Sequence, residues 1–160
     1  MIFEFGPFCV DIDVEKTKKF YEIAAKLSER CWCDGCLNFE RAAAILPQSV
    51  RNFFESLGID MRKICECYVN CTNQDGTVFY GGWCHICGTL LRGESAWKKI
   101  DDRTRCWNDE ATYEIADHFQ VSFQNDVALL ETDFPSPVIQ LDFDAKNIPW
   151  VLDKKNPYLM

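Results

Sequence analysis

Long apolar runs are missing from this sequence. Its first residues include Glu4 and a Gly6-Pro7 pair, and they lack the basic leader and apolar stretch that a signal peptide requires. Nowhere do about eighteen apolar residues follow one another, which is the least that a membrane-spanning helix needs. We therefore expect neither export nor a membrane span, and the sequence predicts a protein that stays in the cytoplasm.

Histidine is scarce, and the common catalytic motifs are missing. The only histidines are His85 and His118, and the chain has no phosphate-binding glycine loop, no paired-histidine metalloprotease motif and no nucleophile elbow. The start of a predicted helix would favour the thiolate of Cys36, but a thiol catalyst also needs a base, and none adjoins it. A thiol- or metal-dependent enzyme is therefore the third of three functional hypotheses.

Basic residues are missing from residues 107–145. This stretch has no Lys or Arg but nine acids, which are Asp109, Glu110, Glu114, Asp117, Asp126, Glu131, Asp133, Asp142 and Asp144. A surface that follows nucleic-acid phosphates needs clustered cations, so the pattern argues against direct nucleic-acid binding and for a basic protein surface as the partner. The alternative is that the acids only solvate the protein, and Asp142 and Asp144, which flank Phe143, are expected on the wet face of a strand.

The sequence does contain enough apolar material for one core. Of 160 residues, 48% are hydrophobic and 14% are aromatic, and this length is the usual size of one domain. No repeat, linker or low-complexity segment divides the chain. Residues 1–160 are therefore predicted to form a single domain.

Two amphipathic helices are predicted in the first third of the chain. Apolar residues recur at helical spacing over residues 14–27, after Asp13 as an N-cap. A second apolar stripe covers residues 38–57, and Pro47 should break or kink it. The fold class that we predict is α+β, with two N-terminal helices packed on an antiparallel β-sheet.

Strands are predicted for most of the remainder. Residues 62–71 and 77–91 alternate with a period of two around the turn Asn73-Gln74-Asp75-Gly76, which predicts a β-hairpin. Residues 2–10 are expected to form a strand or an extended entry segment, residues 112–123 one or two strands and residues 138–143 a strand, with a short helical turn at 126–130.

Cysteine is abundant, with ten residues in the chain. Without an export signal, free thiols or metal ligands are expected rather than disulfides. Cys31, Cys33 and Cys36 lie close together on a turn that contains Asp34-Gly35, and three thiolates converging there suit tetrahedral zinc. The candidates for the fourth ligand are Cys65, Cys67, His85, a water molecule or a residue of another chain. The predicted cofactor is accordingly none or one structural zinc.

Other interpretations of the cysteines stay open. Buried cysteine behaves as a small hydrophobic residue, and several of the ten positions need no further role. Cys84 and Cys87 resemble half of a zinc knuckle, but on an extended strand they would point to opposite faces and could not bind one ion.

Three short motifs carry a resemblance to known proteins. They are Cys31-x-Cys33-x-x-Cys36-Leu37-Asn38-Phe39, Gly58-Ile59-Asp60 and Ile148-Pro149-Trp150-Val151-Leu152-Asp153. Together they resemble small uncharacterised proteins of low-GC Gram-positive bacteria and their prophages. The resemblance implies a bacterial or phage origin and a cytosolic setting, and it implies no activity.

The leading functional hypothesis is a non-enzymatic acidic interaction protein. A small acidic protein of phage or prophage origin could occupy the basic nucleic-acid groove of a partner, as an anti-CRISPR-like or other anti-defence inhibitor does. The residues expected to bind the partner are Trp107, Asp109, Glu110, Glu114, Asp117 and Phe119. The alternative is a zinc-stabilised cytosolic binding module, with zinc on Cys31, Cys33 and Cys36.

Overall fold

The computed structural model describes residues 1–159 and contains an antiparallel sheet, a separate small hairpin and four short helices. The strands are β1 (Ile2–Phe5), β2 (Phe8–Ile12), β3 (Glu66–Thr72), β4 (Val78–Arg92), β5 (Trp97–Lys99), β6 (Arg105–Trp107), β7 (Tyr113–Ala116), β8 (Phe119–Gln124) and β9 (Val138–Ile148). The helices are α1 (Val14–Ile23), α2 (Leu27–Arg30), α3 (Asp34–Ala42) and α4 (Gln48–Ser56). The predicted α+β class with an antiparallel sheet is confirmed at this level.

The prediction of two helices is wrong, because the structure has four: the first predicted helix ends early and α2 follows it, while the second is divided at Pro47, where a break or kink was expected. Helix α1 begins where Oδ1 of Asp13 accepts a hydrogen bond from the backbone N–H of Lys16 at 3.0 Å, as an N-cap does. It ends at Ala24, whose backbone is extended. Pro47 likewise separates α3 from α4. Local backbone breaks therefore replace two long helices by four short ones.

The main sheet is built around the long strands β4 and β9. Its order is β1-β2-β4-β9-β8-β7, β3 also pairs with β4, and every pairing is antiparallel. Strands β5 and β6 form a separate hairpin. The ring centroids of Phe5 in β1 and Tyr113 in β7 lie 5.4 Å apart, although these strands stand at opposite ends of the order. The sheet therefore curls until its two ends touch.

One edge of β4 is completed by a helix instead of a strand. Strand β3 pairs with β4 as far as Trp83, and β2 pairs with it from Gly88. Between them, the hydroxyl of Tyr21 donates to the carbonyl of His85 at 2.7 Å, and the hydroxyl of Thr17 accepts from the backbone N–H of Cys87 at 3.1 Å. Helix α1 thus satisfies backbone groups that a strand would otherwise pair.

Aromatic side chains join the helices to the sheet in one core. The ring of Phe39 in α3 lies 5.2 Å from Tyr80 and 5.5 Å from Phe143, and Phe54 in α4 lies 5.9 Å from Phe119. These side chains are buried and belong to a single cluster that includes residues from helices and strands alike. Burial of such rings supplies much of the free energy of folding.

Three local predictions are wrong. Residues 2–10 form two strands, because Gly6 turns the chain with a φ of 57°. Residues 126–130 are not helical. Asp142 and Asp144 are only 2% and 7% exposed, so β9 has no wet face there. Within residues 1–159, no helix is both long enough and apolar enough to cross a membrane.

Candidate metal centre

Three cysteines converge on the turn between α2 and α3. The sulfur atoms of Cys31 and Cys33 lie 3.3 Å apart, and the backbone N–H of Cys36 donates to the sulfur of Cys33 at 3.4 Å. All three sulfur atoms lie within 4.8 Å of one another. The structure therefore brings together the three cysteines predicted as metal ligands, and this group could hold a metal ion.

Local structure explains why the turn has this shape. Cys31 is the C-cap of α2 and Cys33 is the N-cap of α3. Between this turn and the sheet, the hydroxyl of Tyr80 donates to the carbonyl of Gly35 at 2.7 Å. A Cβ atom added to Gly35 would lie 3.0 Å from the hydroxyl oxygen of Tyr158, so close packing favours glycine here. The turn is thus held by a hydrogen bond from Tyr80 of the sheet and by close packing against Tyr158.

A fourth cysteine, Cys67 of β3, lies next to Cys36, but its sulfur is not within 4.8 Å of all three other sulfur atoms. The sulfur of Cys67 in β3 lies 3.9 Å from that of Cys36, and both residues are buried. Sulfur atoms in a disulfide are about 2.05 Å apart, whereas four thiolates about 2.3 Å from a tetrahedral zinc are about 3.8 Å from each other. Of the fourth ligands left open by the sequence, Cys67 is the one beside this group, and its sulfur would have to approach at least one of Cys31 and Cys33 more closely to complete a site. We call Cys31, Cys33, Cys36 and Cys67 the four-cysteine cluster.

Hydrogen bonding and burial give the thiols of this cluster different acidities. Hydrogen bonds from the backbone and thiol of Cys33 lower the pKa of Cys31, while burial raises the pKa of Cys33 to about 11. The neighbouring thiol of Cys67 and burial raise the pKa of Cys36 above its ordinary value. The expectation of a thiolate at Cys36 favoured by the helix start is therefore wrong. A metal cation would supply the positive charge that stabilises the thiolates.

A second group of potential ligands forms where sequence reasoning did not place one. The ligand atoms of Cys65, His85 and Glu131 lie within 4.8 Å of one another. Nδ1 of His85 is 2.7 Å from Oε2 of Glu131, and His85 is fully buried. We call these three residues the mixed cluster. Only tertiary structure joins them, since Glu131 follows His85 by 46 positions.

The mixed cluster continues into a buried chain of polar side chains. Nε2 of His85 lies 3.2 Å from the side-chain oxygen Oε1 of Gln140. The side-chain nitrogen of Gln140 in turn donates to Oδ1 of Asp142 at 2.8 Å. The side-chain amide of Gln124 donates to Oδ2 of the same carboxylate. Burial raises the pKa of Asp142 to about 6, and also raises that of Asp144 to about 6. Polar groups thus lie under the face of β9 that was expected to be solvated.

The predicted partner-binding residues separate into exposed and buried ones. The exposed residues, which we call the acidic group, are Asp109, Glu110, Glu114 and Asp117. Trp107 is half-buried, with its ring 5.2 Å from that of Trp97. Phe119 is 3% exposed and packs on Phe54 and Phe143. As a core residue, Phe119 is not available as a surface anchor, so the prediction that it contacts a partner is wrong.

The geometry does not favour a cysteine nucleophile. All ten cysteines lie in the described residues and are free thiols. Cys65 is the one that accompanies a histidine and a carboxylate, but burial raises its pKa to about 12. A nucleophile needs the thiolate near neutral pH and access for substrate, and Cys65 is 6% exposed. Cys84 and Cys87, considered above as half of a zinc knuckle, are buried and lie outside both clusters.

Comparisons with protein-family models, with curated proteins and with solved structures give no match to this chain.

Proposed function

We propose that this protein is a zinc-stabilised binding module, with one zinc ion held by the four-cysteine cluster. The observation that carries the proposal is that Cys67 of β3 lies 3.9 Å from Cys36, one of three cysteines whose sulfur atoms all lie within 4.8 Å of one another. Four thiolates form the ligand set typical of structural zinc sites. A zinc bound by four protein ligands has no position open for a substrate, so its role is to stabilise structure.

The zinc would join the helical layer to the sheet. Cys31 and Cys33 come from the turn between α2 and α3 and Cys36 from the first turn of α3, while Cys67 comes from a strand that pairs with β4. Binding of the metal would therefore fix the position of α3 against β3. Because a complete site requires the folded chain, the free energy of metal binding adds to the free energy of folding.

An exposed tryptophan on this turn supports a binding role. Trp32 lies between two of the proposed ligands and is 94% exposed, the largest exposed fraction among the large hydrophobic side chains described. Tryptophan is enriched among the residues that contribute most to protein interfaces. Held by the metal site on either side, Trp32 would meet a partner with little loss of backbone entropy.

Zinc content tests this proposal. Replacement of Cys67 by Ser should release zinc and lower the melting temperature, whereas Cys71→Ser should do neither, because Cys71 is an exposed cysteine on the same strand. Both proteins are purified without a metal-affinity step, and zinc is measured by mass spectrometry. When cobalt replaces zinc, the Cys71→Ser protein should show the absorption of a four-thiolate site, and the Cys67→Ser protein should not. Equal zinc content in the two variants would contradict the proposal.

A second candidate function rests on the exposed acidic group. We propose that this group meets a basic protein surface, such as the nucleic-acid groove of a partner that a phage-derived inhibitor would block. Its four carboxylates are all exposed, and the sequence around them has no Lys or Arg from residue 107 to 145. Nζ of Lys146 lies 3.4 Å from Oδ1 of Asp109 and offsets part of this charge. A negative field of this kind accelerates association with a basic surface.

Charge reversal tests the second candidate. Changing all four residues of the acidic group to Lys should weaken capture of a partner from a bacterial lysate, and raising the salt should weaken capture by the wild type. The control is a second quadruple reversal at exposed acids elsewhere, namely Glu15, Glu22, Glu55 and Asp102. The control changes the net charge equally. If the two reversals affect capture to the same extent, the acidic group has no specific role.

A further inference from the structure

We propose that Cys65, His85 and Glu131 form a second metal site, separate from the four-cysteine cluster, that binds a zinc-class divalent cation and leaves one coordination position for water. The donors are one sulfur, one imidazole nitrogen and one carboxylate oxygen, all within 4.8 Å of one another. Zinc accepts each of these donor types, and three protein ligands with a water are typical of zinc sites that remain open.

The distances in the mixed cluster need only a small change to admit the ion. Nδ1 of His85 and Oε2 of Glu131 are 2.7 Å apart, which is a hydrogen-bond distance. Bonds of about 2.1 Å in tetrahedral geometry would separate these two atoms by about 3.4 Å. The side chain of Glu131 is 22% exposed, whereas that of His85 is fully buried. The carboxylate is thus the ligand that moves, and the cation takes the place of the hydrogen bond between the two side chains.

The surroundings of His85 fit a metal ligand. A ligating histidine donates its second ring N–H to an oxygen, which fixes its tautomer and orientation. Nε2 of His85 lies 3.2 Å from Oε1 of Gln140. That oxygen also accepts from the backbone N–H of Ala128 at 2.7 Å, while Nε2 of Gln140 donates to Asp142. The amide of Gln140 is therefore fixed, and it presents an acceptor to His85.

The other two ligands are also held by the fold. The guanidinium of Arg30 donates to the backbone carbonyl of Cys65 at 3.0 Å and to that of Ile64, which fixes the chain just before β3. The segment that carries Glu131 is tied to the sheet, because the indole N–H of Trp83 donates to the carbonyl of Ala128 at 3.1 Å. Such support reduces the entropy that a metal ion must overcome to bind.

The part-exposed carboxylate makes the test feasible. Glu131→Gln keeps the size of the side chain and removes the charge, so the fold should persist, and Cys65→Ser is a second variant with the same expected effect. The matched control is Asp133→Asn, at an exposed residue of the same segment whose φ of 68° suits asparagine. Proteins are dialysed against zinc and then against metal-free buffer, and zinc per chain is measured by mass spectrometry.

The expected zinc contents separate this site from the first. Wild type and Asp133→Asn should hold about two zinc ions per chain, and Glu131→Gln, Cys65→Ser and Cys67→Ser about one each. If wild type holds about one and only Cys67→Ser loses it, the mixed cluster is a hydrogen-bonded structural group and this proposal is overturned. If wild type holds about one and only Glu131→Gln and Cys65→Ser lose it, the second site stands and the four-cysteine proposal fails. A wild type without zinc overturns both.

Discussion

Replacement of Asp142 by Asn should change how the stability of the protein depends on pH. Asp142 is 2% exposed, and its carboxylate accepts hydrogen bonds from the side chains of Gln140 and Gln124. Burial raises its pKa from the ordinary 3.8 to about 6. The folded state therefore holds this proton more tightly than the unfolded state does.

The size of the effect follows from this difference in pKa. Between pH 3.8 and about 6, the folded state binds more protons than the unfolded state, so its stability falls as the pH rises. The contribution of Asp142 is fully present only well below the ordinary pKa of 3.8 and is lost above about pH 6. A shift of about 2 pH units corresponds to about 3 kcal/mol at 1.36 kcal/mol per unit. The asparagine side chain of the variant cannot titrate, so the variant should lack this loss.

Urea unfolding followed by tryptophan fluorescence measures the effect. We expect the difference in unfolding free energy between the Asp142→Asn variant and wild type to grow by about 2.4 kcal/mol in favour of the variant from about pH 4 to about pH 7.5, since part of the full effect is already lost at pH 4. Loss of zinc from the four-cysteine cluster at acid pH affects both proteins alike and cancels in this difference. The altered hydrogen bonding of the introduced amide adds only a constant to the difference, because it does not depend on pH.

The control is Asp126→Asn, which removes one exposed carboxylate near the same sheet. Its pH profile should run parallel to that of wild type to within about 0.5 kcal/mol. Parallel profiles for Asp142→Asn and wild type would show that Asp142 titrates alike in the folded and unfolded states. The reasoning from burial would then be refuted.

Two further predictions concern the thiols and the packing of the sheet. With zinc bound, iodoacetamide should label the exposed Cys71 and Cys106 first and spare the equally exposed Cys33 until a chelator is added. Equal labelling rates for Cys33 and Cys106 before chelation would contradict metal binding at that turn. Gly82→Ala should cost at least about 2 kcal/mol in unfolding free energy, because its Cβ would clash with the backbone carbonyl oxygen of Glu66. A Cβ added at Gly76 would meet no atom within 4 Å, so only the φ of 86° should matter. Gly76→Ala should therefore lower the free energy of unfolding by about 1 kcal/mol, measured in urea. Equal costs for the two would show that the sheet absorbs the contact.

Local patterns in the sequence predict the elements better than their ends. Asp13 as an N-cap, the turn at Asn73-Gln74-Asp75-Gly76 and the convergence of Cys31 and Cys33 all depend on neighbours in the chain, and the structure has all of them. The break at Pro47 is also a local signal that the structure confirms, whereas helical periodicity contains no signal for the end of α1 at Ala24. Helical periodicity alone therefore predicts helices that are too long.

Contacts between distant residues explain the other differences. The position of Cys67 beside Cys36 depends on the pairing of β3 with β4, and the meeting of His85 with Glu131 depends on the segment before β9. Alternation around Phe143 suggested a solvated face. However, Asp142 is buried because β9 lies between β4 and β8 and other segments cover both of its faces. Sequence periodicity reports which residues share a face and does not report what covers that face.

The stretch of β4 that pairs with helix α1 on one edge affects how the protein unfolds. Helix α1 supplies the hydroxyls of Tyr21 and Thr17 to the backbone of His85 and Cys87, so it acts there as a substitute strand. Detachment of α1 would leave these groups without partners inside the sheet, and this cost opposes local opening. The helix and the centre of the sheet should therefore unfold as one cooperative unit, and hydrogen exchange at the amide of Cys87 would report on the docking of α1.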